Sequence, residues 1–155
     1  MLEIEIISGG QTGADRGGLD AAIRLGLNHG GYCPRGRRAE DGGVPVKYGL
    51  LEHTSSSYPD RTRSNVLEAD ATLLVGRGDP TSGTLLTIKL CLKYDKPWKY
   101  IDLDKWAFSN AIEVVYGWLK DVRPRMLNIA GPRESRCPGI QVDTEVLLCC
   151  ALTRH

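Results

Sequence analysis

The chain has 155 residues, with 20 basic and 19 acidic side chains and a net charge of +1. That balance lacks the basic excess of nucleic-acid binders, and the length suits one domain that buries roughly 70% of its unfolded surface without metal or disulfide staples. No apolar run is long enough to span a bilayer, and Glu3 and Glu5 beside the short strand-like stretch Leu2–Ile7 argue against a signal peptide.

The five cysteines (Cys33, Cys91, Cys137, Cys149 and Cys150) are odd in number and lack C-x-x-C spacing, which reads as free thiols in a reducing cytosol. A cytoplasmic location is therefore expected.

In chain order, β-branched Ile4, Ile6 and Ile7 predict a buried strand over Ile4–Ser8. Asp15–Leu25 follows as a helix with Leu19, Ala22 and Ile23 on one face, and Gly26 stops it. Gly30–Pro34 reads as a short second strand, residues 35–49 as a long loop rich in charge and glycine, and Leu50–Thr54 as a weaker third strand. Ser57 begins a capping box for a helix running to Glu68. Ala71–Val75 is the fourth strand, Thr84–Tyr94 a helix ended before Pro97, and Trp98–Leu103 the fifth strand. Phe108, Ala111, Ile112, Val115, Trp118 and Leu119 repeat at helical steps, and Pro124 closes that helix. Met126–Ala130 is a sixth strand, and Pro138 opens a last helix bearing Ile140, Val146, Leu147 and Cys150. Strands alternating with helices predict an α/β fold: a Rossmann-like, doubly wound parallel sheet with helices on both faces, in a single domain over residues 1–155. The expected strand order is 3-2-1-4-5, with the sixth strand beyond the fifth.

Ligands of such sheets bind beyond the carboxyl ends of the strands. Three loops there carry glycine, hydroxyl and charge ahead of a helix start, where free N–H groups favour oxyanions. The first is Ser8-Gly9-Gly10-Gln11-Thr12-Gly13-Ala14-Asp15-Arg16; the second runs from Gly76 to Thr84 with Arg77, Asp79, Ser82 and Gly83; the third holds Gly131 and Arg133. Gly9, Gly10 and Gly13 equally suit a tight turn and close helix packing, Asp15 and Asp20 suit a helix start, and Ser82 and Thr84 suit helix caps. Ser8 at the first glycine position, and no acid after the second strand, make NAD an unexpected ligand; no Lys-Ser/Thr follows Gly13 as a P-loop requires. Arg35, Arg37 and Arg38 are placed to fold over the site, or to form a solvated loop. Arg61 and Asn65 share a helix face, where Asp60 or Glu68 offers Arg61 an ion pair instead. His29 precedes the second strand, at the wrong sheet edge for catalysis, His53 and His155 lack partners in sequence, and neither a catalytic triad nor metal-ligand spacing is present.

The stretches ISGGQTGADRGGLDAA (7–22), HGGYCPRGRRAEDG (29–42), RTRSNVLEADATLLV (61–75) and NIAGPRESRCPGI (128–140) resemble the molybdenum carrier family, small bacterial relatives of the molybdenum cofactor carriers. The resemblance extends to a superfamily with the Lonely-guy phosphoribohydrolases and the Smf/DprA proteins, and implies a Rossmann-like sheet binding nucleotide-derived ligands. It implies molybdenum cofactor or molybdate as cargo and molybdoenzymes as partners. The phosphoribohydrolase pattern P-G-G-x-G-T-x-x-E falls on Asp79–Thr87, keeping Gly83 and Thr84 but placing Thr87 at the catalytic glutamate. A hydroxyl does not stabilise a ribosyl cation as a carboxylate does, so the reading favours a binding protein over an enzyme. Its expected ligand contacts are Gly9, Gly10, Gln11, Thr12, Gly13, Asp15, Arg16, Cys33, Arg35, Arg77, Asp79, Ser82, Gly83, Thr84, Gly131 and Arg133, with Cys33 or Cys137 near a metal end. The alternative is a nucleotide-processing enzyme with Asp15 or Asp79 as acid or base. A homo-oligomer is compatible with both, and neither reading calls for nucleic acid or membrane.

Overall fold

A computed structural model describes residues 3–154, so His155 and Leu2 lie outside the described residues. A five-stranded parallel sheet forms the middle layer, in the order β2 (His29–Gly30), β1 (Glu5–Ser8), β9 (Met126–Ala130), β7 (Ala71–Gly76) and β8 (Trp98–Asp102). Helices α1 (Ala14–Leu25), α4 (Phe108–Val122) and α5 (Ile140–Leu152) pack together on one face, and α2 (Tyr58–Glu68) with α3 (Ser82–Lys93) on the other. This is the doubly wound α/β arrangement that the alternation of elements predicts.

The strand order differs from expectation. The last strand does not extend the sheet beyond β8 but enters its centre, pairing with β1 through Ile6↔Leu127 and with β7 through Thr72↔Asn128. Burial explains the choice. Leu127, Asn128 and Ile129 are buried and Ala71–Gly76 is buried throughout, whereas Trp98, Lys99 and Tyr100 of β8 are only partly so. The more polar strand takes the edge, where charge blunts unwanted pairing.

The expected second and third strands also change. Gly31 has φ 115° and its missing side chain would lie 2.3 Å from the Ser8 carbonyl oxygen, so the backbone turns sharply there. Beyond the turn, β3 (Tyr32–Cys33) leaves the main sheet and pairs in parallel with β6 (Leu51–Glu52). The intervening segment is not a plain loop: β4 (Arg38–Ala39) and β5 (Gly42–Gly43) form an antiparallel hairpin, followed by a single turn of tight helix at Val46–Tyr48.

Helix ends follow the sequence signals. Gly26 is left-handed and donates to Ala22 and Ile23 carbonyls, and the Ser57 hydroxyl accepts from Asp60 N at 3.5 Å. Asp20, read as a macrodipole acid, has a specific role: it accepts from the Tyr48 hydroxyl at 2.7 Å and from Gln141 Nε2 at 3.0 Å. The main core lies between the sheet and α1, α4 and α5, built on Ile6, Leu73, Ile101, Leu119, Leu127, Ile129, Ile140 and Leu148.

Helix α1 approaches β9 and α5 through Gly17 and Gly18. A side-chain carbon on Gly18 would sit 2.6 Å from Ile129 Cβ, and one on Gly17 2.5 Å from the Gln141 carbonyl. Gly18→Ala gains about 0.8–1 kcal/mol of helix propensity but overpacks the helix–sheet contact at a cost of about 1–3 kcal/mol. Urea unfolding is expected to show net destabilisation, and an unchanged or raised midpoint would refute the close-packing account.

Candidate functional site

The ends of β1, β7 and β9 deliver the three glycine-bearing loops to one rim, because β9 lies between the other two strands. Beneath that rim, between α2 and α3, is a cavity of about 350 Å³. Gly9, Gln11, Asp15, Arg77, Asp79, Ser82, Gly83, Thr84, Gly131 and Arg133 all line it. The structure thus brings together, around one space, residues from all three loops.

The loops are not equivalent in what their N–H groups offer. In the first, Gly10 N donates to Ser8 Oγ (3.3 Å), Gln11 N to Asp15 Oδ2 (3.2 Å), Thr12 N to Gln11 Oε1 (3.1 Å) and Gly13 N to Gln141 Oε1 (3.3 Å). Ala14 N donates to the Pro132 carbonyl at 3.2 Å. Most of the donors expected to cradle an anion here are therefore held by protein acceptors, Asp15 N being the exception in the first turn of α1 among the described residues.

The third loop is closed in the same way. Both oxygens of Glu134 cap α5, accepting from Gly139 N at 2.6 Å and Gln141 N at 3.0 Å. This carboxylate occupies the favourable end of the helix dipole itself.

The second loop remains open. Thr81 gives no side-chain cap to α3, and among the described residues no acceptor reaches Ser82 N or Gly83 N. Tyr100 holds the loop from below by donating to the Gly78 carbonyl at 2.7 Å, while Asp102 accepts from Gly78 N at 2.8 Å. Burial, and then Asp102, push the Tyr100 hydroxyl up to about 12, so it stays a donor.

The arginines divide likewise. Arg77 lines the cavity but is bound by Asp104 at 3.0 Å and Asp143 at 2.8 Å. Arg37 places its guanidinium on the Val44, Pro45 and Leu50 carbonyls, pinning the hairpin instead of closing over a ligand. Arg38 donates to the Ser56 carbonyl at 3.1 Å, and Arg35 is exposed. Arg133, half-buried on the cavity wall, forms no ion pair among the described residues.

Several expected contacts lie outside the cavity lining: Gly10, Thr12, Gly13, Arg16, Cys33 and Arg35. Gly13 is glycine because a side chain would meet the Pro132 carbonyl at 2.3 Å. Cys33 packs with Leu19, Val44, Tyr48 and Leu50 in a second core; of the two cysteines considered for a metal end, only Cys137 lines the cavity. Arg16 is not a loose loop arginine. It is buried, with Nε on the Gly10 carbonyl at 2.9 Å and a two-pronged bond to Asp41 at 2.5 and 2.8 Å. Glu40 joins the same strap, accepting from the Thr12 hydroxyl and from Ser135 N (3.1 Å) and Oγ (2.5 Å). Desolvation raises the Glu40 carboxyl, but these hydrogen bonds outweigh it and hold it below its usual range.

Asp15 is the one strongly perturbed acid on the wall. It is 5% exposed, and burial pushes its pKa up to about 6 against the pull of Arg61, the Gln11 N–H and Arg16. Arg61 stands 3.7 Å away and lies flat on Gly9, whose missing side chain would fall 1.7 Å from its Nη1. Arg61 Nε is buried without a partner among the described residues. Asn65, one turn on, uses both ends of its amide on the Tyr32 backbone at 2.9 and 3.0 Å.

Tyr58, Thr62 and Asn128 line the cavity without having been expected there, and Arg136, at the end of the third loop, joins them. Only Asn128 leaves a signal, a polar residue inside an otherwise apolar strand. Thr87 does line the cavity, but its hydroxyl donates to the Gly83 carbonyl at 2.9 Å. Among the described residues no three His, Cys, Asp or Glu side chains form a metal-binding group, and no helix is long and apolar enough to cross a membrane.

A sequence profile of the circularly permutated YpsA SLOG family matches residues 6–152. The chain belongs to that family. Permutation accords with the sheet, where the last strand of this SLOG protein fills the central place beside the first. A crystal structure from Syntrophus aciditrophicus SB, named "Putative molybdenum carrier protein", superposes with a TM-score of 0.95 at 42% identity, covering 98% of this chain and 97% of that one. No protein of curated function matched.

Two outcomes are expected. Arg16→Ala should lower stability by about 1.5–3 kcal/mol, the worth of a charged hydrogen bond, and speed proteolysis within residues 38–49; unchanged thermal unfolding would refute the strap. Asp15 should titrate near pH 6 by carboxyl NMR, and higher still in Arg61→Ala, which removes its largest stabilising charge. Since folding raises this pKa from 3.8 to about 6, the folded state binds the proton more tightly, and Asp15's contribution to stability falls as pH rises across that window.

Proposed function

We propose that this SLOG-family protein binds a phosphate-bearing small molecule of the molybdenum cofactor class and acts as its carrier. The observation that carries the reading is the open α3 start, where two consecutive N–H groups, Ser82 and Gly83, lack a protein acceptor among the described residues while most first-turn donors of α1 and α5 are taken by the protein's own acceptors. An anion there meets the positive end of the helix dipole. Arg133 and Arg136 on the neighbouring loop supply charge, and Arg136 Nη1 already reaches Ser82 Oγ at 3.4 Å. Kinship supports the cargo, since the crystal structure at 42% identity carries a molybdenum carrier name.

Size favours the whole cofactor over bare molybdate. A four-oxygen ion fills roughly 120 Å³, taking about 30 Å³ per oxygen as for water. The cavity is about 350 Å³, within the roughly 300–1,000 Å³ range of small-molecule sites. In this reading the phosphate sits at Ser82–Thr84, Arg133 balances it, and Cys137 lies on the wall open to the remainder.

A second reading, an enzyme acting on a nucleotide, is favoured by one observation. Asp15 lines the cavity with a pKa of about 6, where a general acid or base is effective. Against it, Thr87 replaces a carboxylate and its hydroxyl is already bonded to Gly83 O.

Calorimetric titration of wild type and Arg133→Ala with molybdenum cofactor, molybdate and a nucleotide panel separates the two. The expected result is tightest binding of the cofactor, weakened about ten- to a hundred-fold by the substitution, the worth of one charge-assisted hydrogen bond. Tighter nucleotide binding, with ribose phosphate released above the Arg133→Ala background, would replace the carrier reading with the enzymatic one.

A further inference from the structure

We propose that Asn128 is the specificity-determining residue of the cavity's inner half, accepting a hydrogen bond from an N–H on the edge of the ligand's ring. The proposal rests on the reading above, that the ligand bears a phosphate held at the α3 start.

Asn128 lies in the centre of the sheet, with β1 on one side of its strand and β7 on the other. A strand in that place, covered on both faces, ordinarily carries only apolar side chains. Asn128 is nevertheless 3% exposed and lines the cavity. Its Nδ2 donates to Thr72 Oγ1 at 3.3 Å, and among the described residues no donor reaches its Oδ1. That oxygen is not sealed off in the way Arg61 Nε is, so it keeps access to the cavity and offers an unused acceptor there. Asn65 on the same wall is the internal contrast: its oxygen and nitrogen each bond the Tyr32 backbone, so its amide is engaged in holding β3 to α2.

Thr84 provides an independent indication. It is 5% exposed, lines the cavity, and makes no side-chain hydrogen bond among the described residues. The polar groups left free by the protein are arranged by depth. Asn128 sits two residues before the strand's end at Ala130, about 7 Å below the rim at the usual rise per residue. Arg133 and Arg136 follow that end, on the rim itself. Charge recognition therefore belongs to the mouth, and the Asn128 amide supplies neutral recognition below it.

The chemistry that fits is a planar heterocycle with an N–H edge, joined to a phosphate. Tyr58, Pro80 and Leu86 give it apolar walls, and one well-placed polar group then fixes its orientation. A purine nucleotide and a pterin phosphate both present such an edge.

The test titrates wild type, Asn128→Leu and Asn128→Val with five probes: GMP, AMP, purine-riboside 5′-monophosphate (which lacks an exocyclic N–H), 6-(phosphooxymethyl)pterin and ribose 5-phosphate. Wild type should bind at least one N–H-bearing probe about ten- to a hundred-fold more tightly than the purine-riboside monophosphate. In both variants that preference should collapse to within about two-fold, because the single hydrogen-bonding partner is gone. Ribose 5-phosphate should bind all three proteins alike, which shows that the variants are folded and the mouth intact. The pterin arm against the purine arms tells which ring the site prefers, and either preference supports the assignment. Persistence of the preference in both variants, or its absence from wild type, overturns it. If ribose 5-phosphate binds but the preference is missing, the Asn128 assignment alone falls; if no probe binds wild type, the phosphate reading falls with it.

Discussion

Placing the last strand, β9, between β1 and β7 forces two loops, distant in sequence, to share one rim. They meet backbone to backbone. A side chain on Gly13 would strike the Pro132 carbonyl at 2.3 Å, and one on Gly131 the Val75 carbonyl at 2.2 Å and Ala14 Cβ at 2.6 Å. Close packing of this kind leaves no room for a ligand between the first and third loops, but lets each satisfy the other's polar groups: Ala14 N bonds Pro132 O, and Glu134 N bonds the Thr12 hydroxyl at 3.2 Å. The open space is displaced to the α2–α3 side, where the second loop stands apart.

The same constraint accounts for the strap of residues 38–43. Two carboxylates on its turn clamp the paired loops, Asp41 through Arg16 and Glu40 through Thr12 and Ser135. Arg37 bonds the hairpin to the Leu50 carbonyl, close to the second core. Arg16, Arg37, Glu40, Asp41 and Arg77 are thus engaged in holding loops, whereas Asp79, Arg133 and Arg136 line the cavity without an ion pair among the described residues. Its wall mixes Tyr58, Pro80, Leu86 and Ile129 with isolated polar groups, a composition suited to one small organic ligand with an anionic end.

Much of the fold is legible in the sequence because its signals are local. Helical spacing of Phe108, Ala111, Ile112, Val115 and Leu119, the Gly26 stop and the Ser57 cap each act within a few residues, and each appears as expected. Strand order is not legible, since burial on both faces marks Met126–Ala130 as an interior strand without naming its neighbours. The Asp41-Gly42-Gly43 stretch signals a turn, but the hairpin is not legible because its strands are only two residues long and are held by side chains from elsewhere. At the site, glycine clusters locate the rim but not the open donors. A backbone N–H in a glycine-rich turn looks the same in sequence whether Gln141, Glu134 or a ligand accepts from it. Ser82 and Gly83 of the second loop therefore read like Gly10 and Gly13 of the first, and only the hydrogen bonds separate the two sets.

Glu134 has a consequence for stoichiometry. By capping α5 with both carboxylate oxygens it acts as a tethered anion, present at a local concentration no dissolved competitor matches. At α1, Gln141 and Pro132 likewise take Gly13 N and Ala14 N, so α3 is the most open of the three helix starts at this rim. The α5 start is therefore no additional seat for a dissolved anion, because the chain has supplied one of its own.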